Sequence, residues 1–152
     1  MKGIQNRLSN KKGFTLLELI VVMVIITIIA SQVIASFKGA ADNGRVAAAL
    51  NSIKSIQTAA MSYFNNNGGL CTGISVATLV SGNYLPGTFT GINANPWGGN
   101  YTVGVNANNA TQFNLSMTNI SQTDATTLNN ALQNSAQAVN YVAGSSTWTG
   151  TF

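Results

Sequence analysis

The chain has 152 residues, enough for one modest domain, and it carries only seven basic and three acidic side chains and no histidine. Four of the basic residues lie in the first few positions, so the net charge of +4 describes that segment and indicates no nucleic-acid surface: Lys2, Arg7, Lys11 and Lys12. A single cysteine, Cys71, excludes an intrachain disulfide framework. Between Ser55 and Phe152 the only charged side chain is Asp124, so the surface of that region has to be polar but uncharged.

The N-terminal region divides into a basic start and a long apolar run. Met1–Gly13 is short, polar and basic, whereas Phe14–Phe37 is nearly all apolar, with Glu18 as its one ionisable group. As a helix of about 24 residues the run extends roughly 36 Å, which is enough to cross the core of a bilayer. The preceding positive charges are expected to hold the N-terminus in the cytoplasm and to leave the rest of the chain outside.

Two ordinary explanations of this apolar run compete with a more specific one. A cleaved secretory signal has a shorter apolar core followed by a small-residue cleavage site, and a plain single-span anchor needs no acid. Neither explains Glu18, because a lone carboxylate in hydrocarbon costs on the order of 2.5–3.5 kcal/mol on insertion scales. An acid at this position is therefore expected to have a positively charged partner.

The segment Lys11–Val22, KKGFTLLELIVV, resembles the processing signal of type IV pilin precursors. The resemblance implies that a membrane peptidase cleaves after Gly13 and that the same enzyme methylates the new N-terminus, Phe14. It also places Glu18 at the fifth mature position, where the family has a glutamate used in assembly. The carboxylate would neutralise the α-amino group of Phe14 on a neighbouring subunit and fix the axial register. Residues 1–13 are then a leader that is removed.

Beyond Phe37 the pattern becomes amphipathic, without a strong helix stop. Lys38–Asn65 is rich in alanine, and apolar residues recur along it in three- and four-residue steps: Val46, Leu50, Ile53, Ala60 and Phe64. Ile56 and Tyr63 widen that stripe. We expect one helix from Phe14 to about Phe64, ending in the Asn- and Gly-rich run 65–69. Its parts are an assembly and transmembrane helix over 14–37 and an amphipathic continuation over 38–66.

Charged residues and glycines mark the middle of this helix. Lys38, Asp42 and Arg45 have the spacing i, i+4, i+7, which places them on one face. They form either a solvated ion-pair ladder or a contact between subunits. Gly39 and Gly44 each cost about 1 kcal/mol relative to alanine inside a helix, so residues 38–45 are the expected place for bending.

The remaining residues, 67–152, predict a small α+β head. A short helix is expected at Ser75–Ser81, and turns at Gly82–Gly87 and Asn95–Gly99. Predicted strands and a second helix follow in chain order: strands Tyr101–Val105 and Gln112–Met117, a helix opened by a capping box at Ser121–Asp124 and running to about Leu132, and strands at Val139–Ala143 and Ser146–Thr149. The predicted fold is α+β and pilin-like: a long N-terminal helix, transmembrane in its first half, packed on a small antiparallel-sheet head.

Two head segments, NPWGGNYTV from Asn95 and FNLSMTNI from Phe113, resemble the heads of thin-pilus, type IVb-like pilins from conjugation-type systems. Those heads usually carry two joined cysteines, whereas this chain has Cys71 alone. The short leader and the start at Phe14 are typical of the other main pilin branch. Cys71 is either a buried, inert thiol or an exposed thiol that pairs between subunits.

An enzyme is not expected. Without histidine, and with the three acids assigned to a membrane pair, a helix ladder and a helix cap, no set of residues is left for a nucleophile, a metal or a cofactor. The three basic residues outside the leader all lie on the long helix, so the head offers no basic stripe for nucleic acid: Lys38, Arg45 and Lys54.

The predicted function is therefore the structural subunit of an extracellular type IV pilus, serving adhesion, cell contact, motility, conjugation or DNA uptake. The alternatives are a pseudopilin of a type II-like secretion system and a minor or tip pilin. Expected partners are copies of the chain in a helical filament, the prepilin peptidase and methylase, the inner-membrane pilus assembly machinery, and membrane lipid before assembly. The precursor is expected in the inner membrane and the assembled subunit outside the cell.

Overall fold

The computed structural model describes residues 15–152, except for the side chains of Gln32 and of residues 34–38. The chain divides into two units, Met1–Ala40 and Ala41–Phe152. Helix α1, Leu16–Asn66, contributes residues to both. The predicted leader, residues 1–13, and Phe14 lie outside the described residues. Of the helices in residues 15–152, none combines the length and the apolar character that crossing a membrane requires.

Within the second unit, α1 buries the apolar stripe that its sequence predicts. Ala49, Ile53 and Ile56 are fully buried, Val46 and Ala60 nearly so, while Leu50, Tyr63 and Phe64 are partly buried against the same core. The opposite face of this part of α1 carries alanines together with polar and charged residues, and it is exposed. The amphipathic pattern is thus confirmed.

The end of α1 lies two residues beyond the predicted one. The amide N–H of Asn67 donates to the carbonyl oxygen of Tyr63, and that of Gly69 to the carbonyl oxygen of Phe64, which satisfies carbonyls of the last turn. Gly68 and Gly69 have φ values of 68° and 79°, in the left-handed region that glycine adopts without strain. The glycine pair therefore turns the chain out of the helix.

The head contains four antiparallel strands: β1, Tyr101–Asn106, β2, Asn109–Met117, β3, Ala138–Val142, and β4, Thr147–Thr151, in the spatial order β1-β2-β4-β3. The last strand therefore lies between the second and the third. All four predicted strand regions are confirmed, although β2 begins three residues earlier and β4 runs two residues further than predicted. The fold class is α+β, as expected.

One face of the sheet forms the core of the second unit. Val103 of β1, Leu115 and Met117 of β2, and Trp148 of β4 are buried and alternate with more exposed neighbours, as the period of a strand requires. They pack in one cluster with α1 and with two further helices, α2, Val76–Ser81, and α3, Gln122–Leu132.

Both short helices begin at a serine cap. The Ser75 hydroxyl oxygen accepts from the Thr78 amide at 3.0 Å, and the Ser121 hydroxyl oxygen accepts from the Asp124 amide at 3.2 Å. The predicted capping box at Ser121 is only half correct, because the Asp124 carboxylate does not reach back to the Ser121 backbone in the described structure. Its Oδ2 atom instead accepts from the Ser121 hydroxyl at 2.8 Å and from the Trp97 indole.

Candidate assembly site

In the first unit, the apolar side chains of α1 are exposed. Among those described, the exposed fraction ranges from 78% at Leu16 to 45% at Val33, with Met23 at 61% and Ile29 at 57%. Such a run of leucine, isoleucine and valine is far more apolar surface than a soluble monomer normally shows. This surface has to be covered by lipid or by other protein.

Glu18 is the one ionisable residue on this surface between Thr15 and Ser31. It lies in the first turn of α1, where its backbone N–H donates to the Thr15 hydroxyl oxygen at 3.3 Å, and its side chain is exposed. Since Gly13 and Phe14 lie outside the described residues, cleavage after Gly13, methylation of Phe14 and the pairing of Glu18 stay predictions.

Of the predicted ion-pair ladder, the structure contains the pair between Asp42 and Arg45. Nη1 of Arg45 lies 3.4 Å from Oδ1 of Asp42, and the two side chains are 51% and 47% exposed. An exposed pair of this kind contributes a few tenths of a kcal/mol. The side chain of Lys38, the third predicted member, lies outside the described part of the structure.

The turn Asn95–Gly99 is fixed by the side chain of a buried asparagine. Oδ1 of Asn95 accepts from the amides of Trp97 and Gly99 at 3.0 and 2.9 Å, while its Nδ2 donates to the Thr118 carbonyl at 2.8 Å. At Gly99 a Cβ atom would lie 2.1 Å from that same carbonyl oxygen, so only glycine fits. The turn is thereby held against the end of β2.

Trp97 also ties this turn to α3, a contact that the sequence interpretation missed. Its indole Nε1–H donates to Oδ2 of Asp124 at 2.9 Å, and Asp124 is 7% exposed. The only charged side chain after Ser55 is thus an internal hydrogen-bond acceptor rather than a surface charge. The indole N–H of a buried tryptophan usually finds a hydrogen-bond acceptor, so the presence of Trp97 in the sequence was the one indication of such a contact.

Tyr101, at the start of β1, has a buried hydroxyl for which no group among the described residues meets the distance and angle of a hydrogen bond. Burial raises the pKa of Tyr101, and a polar contact with the Ser52 side chain opposes part of that rise. The phenol is therefore kept neutral inside the core.

Cys71 is 2% exposed, and its backbone N–H donates to the Ala110 carbonyl at 2.7 Å. Burial raises the pKa of its thiol, so little thiolate is present near neutral pH. These observations favour the buried, inert thiol over the thiol that pairs between subunits.

At pH 8, Cys71 is expected to react with iodoacetamide about tenfold more slowly in the folded chain than in urea, because alkylation needs an accessible thiolate. Mass spectrometry over a time course measures both rates. Equal rates in the two states would show that the thiol is accessible in the folded protein.

No three His, Cys, Asp or Glu side chains in residues 15–152 lie close enough together to hold a metal ion.

Comparison with known families agrees with the N-terminal pattern and with the head. Residues 8–31 match the prokaryotic N-terminal methylation motif, and this range includes Gly13, Phe14 and Glu18. The motif, the long helix and the small sheet head together define a type IV pilin precursor. Residues 39–150, which are most of the chain, match the family described as PilS N terminal, and the chain belongs to that family. No curated protein gives a significant match.

Membership in this family has general consequences for the chain. Pilin domains are structural subunits rather than enzymes, and pilin motifs imply processing by a prepilin peptidase and assembly into a pilus or a pilus-like structure.

Proposed function

We propose that the mature chain is the structural subunit of an extracellular type IV pilus and that it polymerises through residues 14–37. The exposed apolar surface of α1 in the first unit is the observation that carries this proposal. Burying a leucine, isoleucine or valine side chain is worth about 1.5–3 kcal/mol, so a filament in which these helices cover one another gains much from each added copy.

Glu18 gives this apolar packing its register. Cleavage after Gly13 creates a positively charged amine on Phe14, and the Glu18 carboxylate of a neighbouring copy is its natural partner inside an apolar filament. A subunit out of register leaves two charges buried and unpaired, which costs about 3–5 kcal/mol for each broken pair. Attraction between apolar helices is non-directional, so the ion pair selects one arrangement among many.

Before assembly, we infer that residues 14–37 lie in the cytoplasmic membrane, with the basic leader on the cytoplasmic side. Lipid covers the apolar side chains there until other subunits replace it. The prepilin peptidase and methylase and the inner-membrane assembly machinery act on the chain at this stage. The head is then exported on the fibre.

The head is suited to the exterior of a fibre. Beyond Ser55 its only charged side chain, Asp124, is buried, so its surface consists of hydroxyl, amide and apolar groups. Such a surface makes hydrogen bonds with little electrostatic selectivity. Adhesion, cell contact, motility, conjugation and DNA uptake are the roles proposed for the fibre.

The first test is the N-terminus of the protein in fibres sheared from the cell surface. Mass spectrometry is expected to find an N-terminal peptide that begins with N-methylated Phe14, because assembly through the Phe14 amine requires removal of the leader. Fibres made of chains that start at Met1 would contradict the proposal. Mature protein confined to the periplasm, with no surface fibre, would instead favour a pseudopilin.

A further inference from the structure

The sequence contains the dipeptide Asn-Gly twice, as Asn43–Gly44 and as Asn67–Gly68. An asparagine before glycine is especially prone to lose its side-chain amide, because glycine has no Cβ atom to hinder attack by its backbone nitrogen on the asparagine Cγ. Both dipeptides lie in the second unit, and both asparagine side chains are exposed. The two sites therefore differ mainly in the conformation of their backbone.

The first dipeptide lies well inside helix α1. In a helix the amide N–H of each residue donates to the carbonyl four residues earlier, so the nitrogen of Gly44 is held along the helix axis. The backbone cannot pivot to bring this nitrogen onto the side chain of Asn43 without breaking the helix. The helical conformation thus protects Asn43 from ring closure.

The second dipeptide lies in the turn that follows α1. Gly68 has a φ of 68°, and a Cβ atom built on it would meet nothing within 4 Å. The amides of Asn67 and Gly69 both donate to carbonyls of α1, whereas the Gly68 amide N–H donates to no backbone carbonyl among the described residues. The Gly68 nitrogen is therefore outside the helical hydrogen bonding and open to solvent.

The side chain of Asn67 holds the chain that leaves this turn. Its Nδ2 atom donates to the carbonyl oxygens of Leu70 and Thr72 at 3.0 and 3.2 Å. All three residues are exposed, so water competes for both hydrogen bonds, which slow the loss of the amide without preventing it. Cys71, which is buried, lies between the two residues that accept these bonds.

We propose that Asn67 is a site of spontaneous deamidation and that its conversion loosens the loop that contains Cys71. The Gly68 amide loses its proton to hydroxide, its nitrogen bonds to Cγ of Asn67, and the side-chain nitrogen leaves as ammonia. One water molecule then opens the five-membered imide to aspartate or isoaspartate. The reaction needs only water and hydroxide, so it proceeds whether or not the chain is assembled into a fibre.

The new carboxylate weakens the turn in two ways. It has no N–H to donate to the carbonyls of Leu70 and Thr72, and its oxygens face those carbonyl oxygens instead. Its negative charge also lies just beyond the C-terminus of α1, where the helix dipole disfavours an anion. The segment around Cys71 is therefore expected to open more often after the conversion.

Incubation of the full chain in detergent at pH 8 tests the site, with Asn43 as the matched internal control. Proteolysis after Arg45 and after Phe64 places the two asparagines in separate peptides, in which mass spectrometry measures the ratio of acid to amide. Asn67 is expected to convert about tenfold faster than Asn43 in the folded chain, because only Asn43 is protected by a helix. In urea the two rates are expected to be similar.

Two results would overturn the proposed site. One is conversion of Asn43 as fast as that of Asn67 in the folded chain. The other is an Asn67 that converts in urea but stays intact in the folded chain over the same period. Both are measured on the isolated chain, so neither result bears on whether the protein forms a pilus.

The variant Asn67→Asp tests the loosening of the loop. It is expected to raise the rate at which iodoacetamide alkylates Cys71 in the folded chain about threefold, because both hydrogen bonds to the loop are lost. Asn65→Asp is the matched control, since it adds the same charge two residues earlier and leaves those bonds in place, and it should leave the rate unchanged. Circular dichroism checks that both variants are folded.

The unaltered chain gives the same measurement without a substitution, since alkylation of Cys71 should become faster as the acid at position 67 accumulates. An unchanged alkylation rate in Asn67→Asp and in the incubated chain, or an equal rise in Asn65→Asp, would show that the burial of Cys71 does not depend on Asn67.

Discussion

Glu18→Gln is expected to leave the precursor cleaved and methylated but to abolish surface fibres. Glutamine occupies nearly the same volume, so the apolar packing of α1 is kept while the negative charge is lost. The Phe14 amine of the neighbouring copy then stays buried and unpaired, at about 3–5 kcal/mol for every subunit added. Electron microscopy and the mass of sheared material measure fibres, and mass spectrometry of the membrane fraction measures processing.

Ser31→Ala is the matched control for this substitution. Ser31 is another polar residue on the same stretch of α1, but its hydroxyl donates to the Ile28 carbonyl of its own helix at 2.8 Å. Its loss is expected to leave fibre yield at the wild-type level. Normal fibres from Glu18→Gln would show that the carboxylate has no part in assembly, and failed processing would move its role to peptidase recognition.

Trp148→Ala is expected to lower the free energy of unfolding of the head by about 3–5 kcal/mol. Trp148 is completely buried at the centre of the sheet face, and its Nε1–H donates to Oδ1 of Asn129 on α3 at 2.7 Å. Alanine leaves a cavity between β4 and α3 and an amide oxygen without its donor. Urea unfolding of the detergent-solubilised chain, followed by circular dichroism, measures the change.

Two further variants separate the contributions at Trp148. Trp148→Phe keeps most of the apolar volume and loses the bond to Asn129, so a smaller loss is expected. Thr147→Ala, next in the same strand, removes a hydroxyl that donates only to the Ser145 carbonyl and should change stability by no more than about 0.5 kcal/mol. Equal effects at 147 and 148 would contradict the assignment of Trp148 to the core.

The elements that the sequence predicts well are those specified by local pattern. The three-and-four spacing of Ile53, Ile56 and Ala60 marks the buried face of α1, and the alternation in Tyr101–Val105 marks β1. Serine caps and glycine turns locate most element ends to within two residues, because each end is decided by its own backbone hydrogen bonds.

Features that depend on residues distant in the chain were not predictable in this way. The insertion of β4 between β2 and β3 depends on pairing such as Met117 with Trp148, which no local pattern encodes. The sequence shows that Asp124 follows a capping serine, but not that Trp97 comes within reach of its carboxylate. An open groove lined by Met61, Phe113 and Phe152 likewise exists only because α1, β2 and the segment after β4 converge.

The burial of Asp124 has a consequence for how the head responds to its medium. Beyond Ser55 no charged side chain is exposed for dissolved salt to screen, so the side chains of this region contribute little to long-range forces between two heads. Contacts made by this part of the chain act only at van der Waals and hydrogen-bonding range. Their strength is therefore expected to depend little on electrostatic screening, in dilute or in saline media.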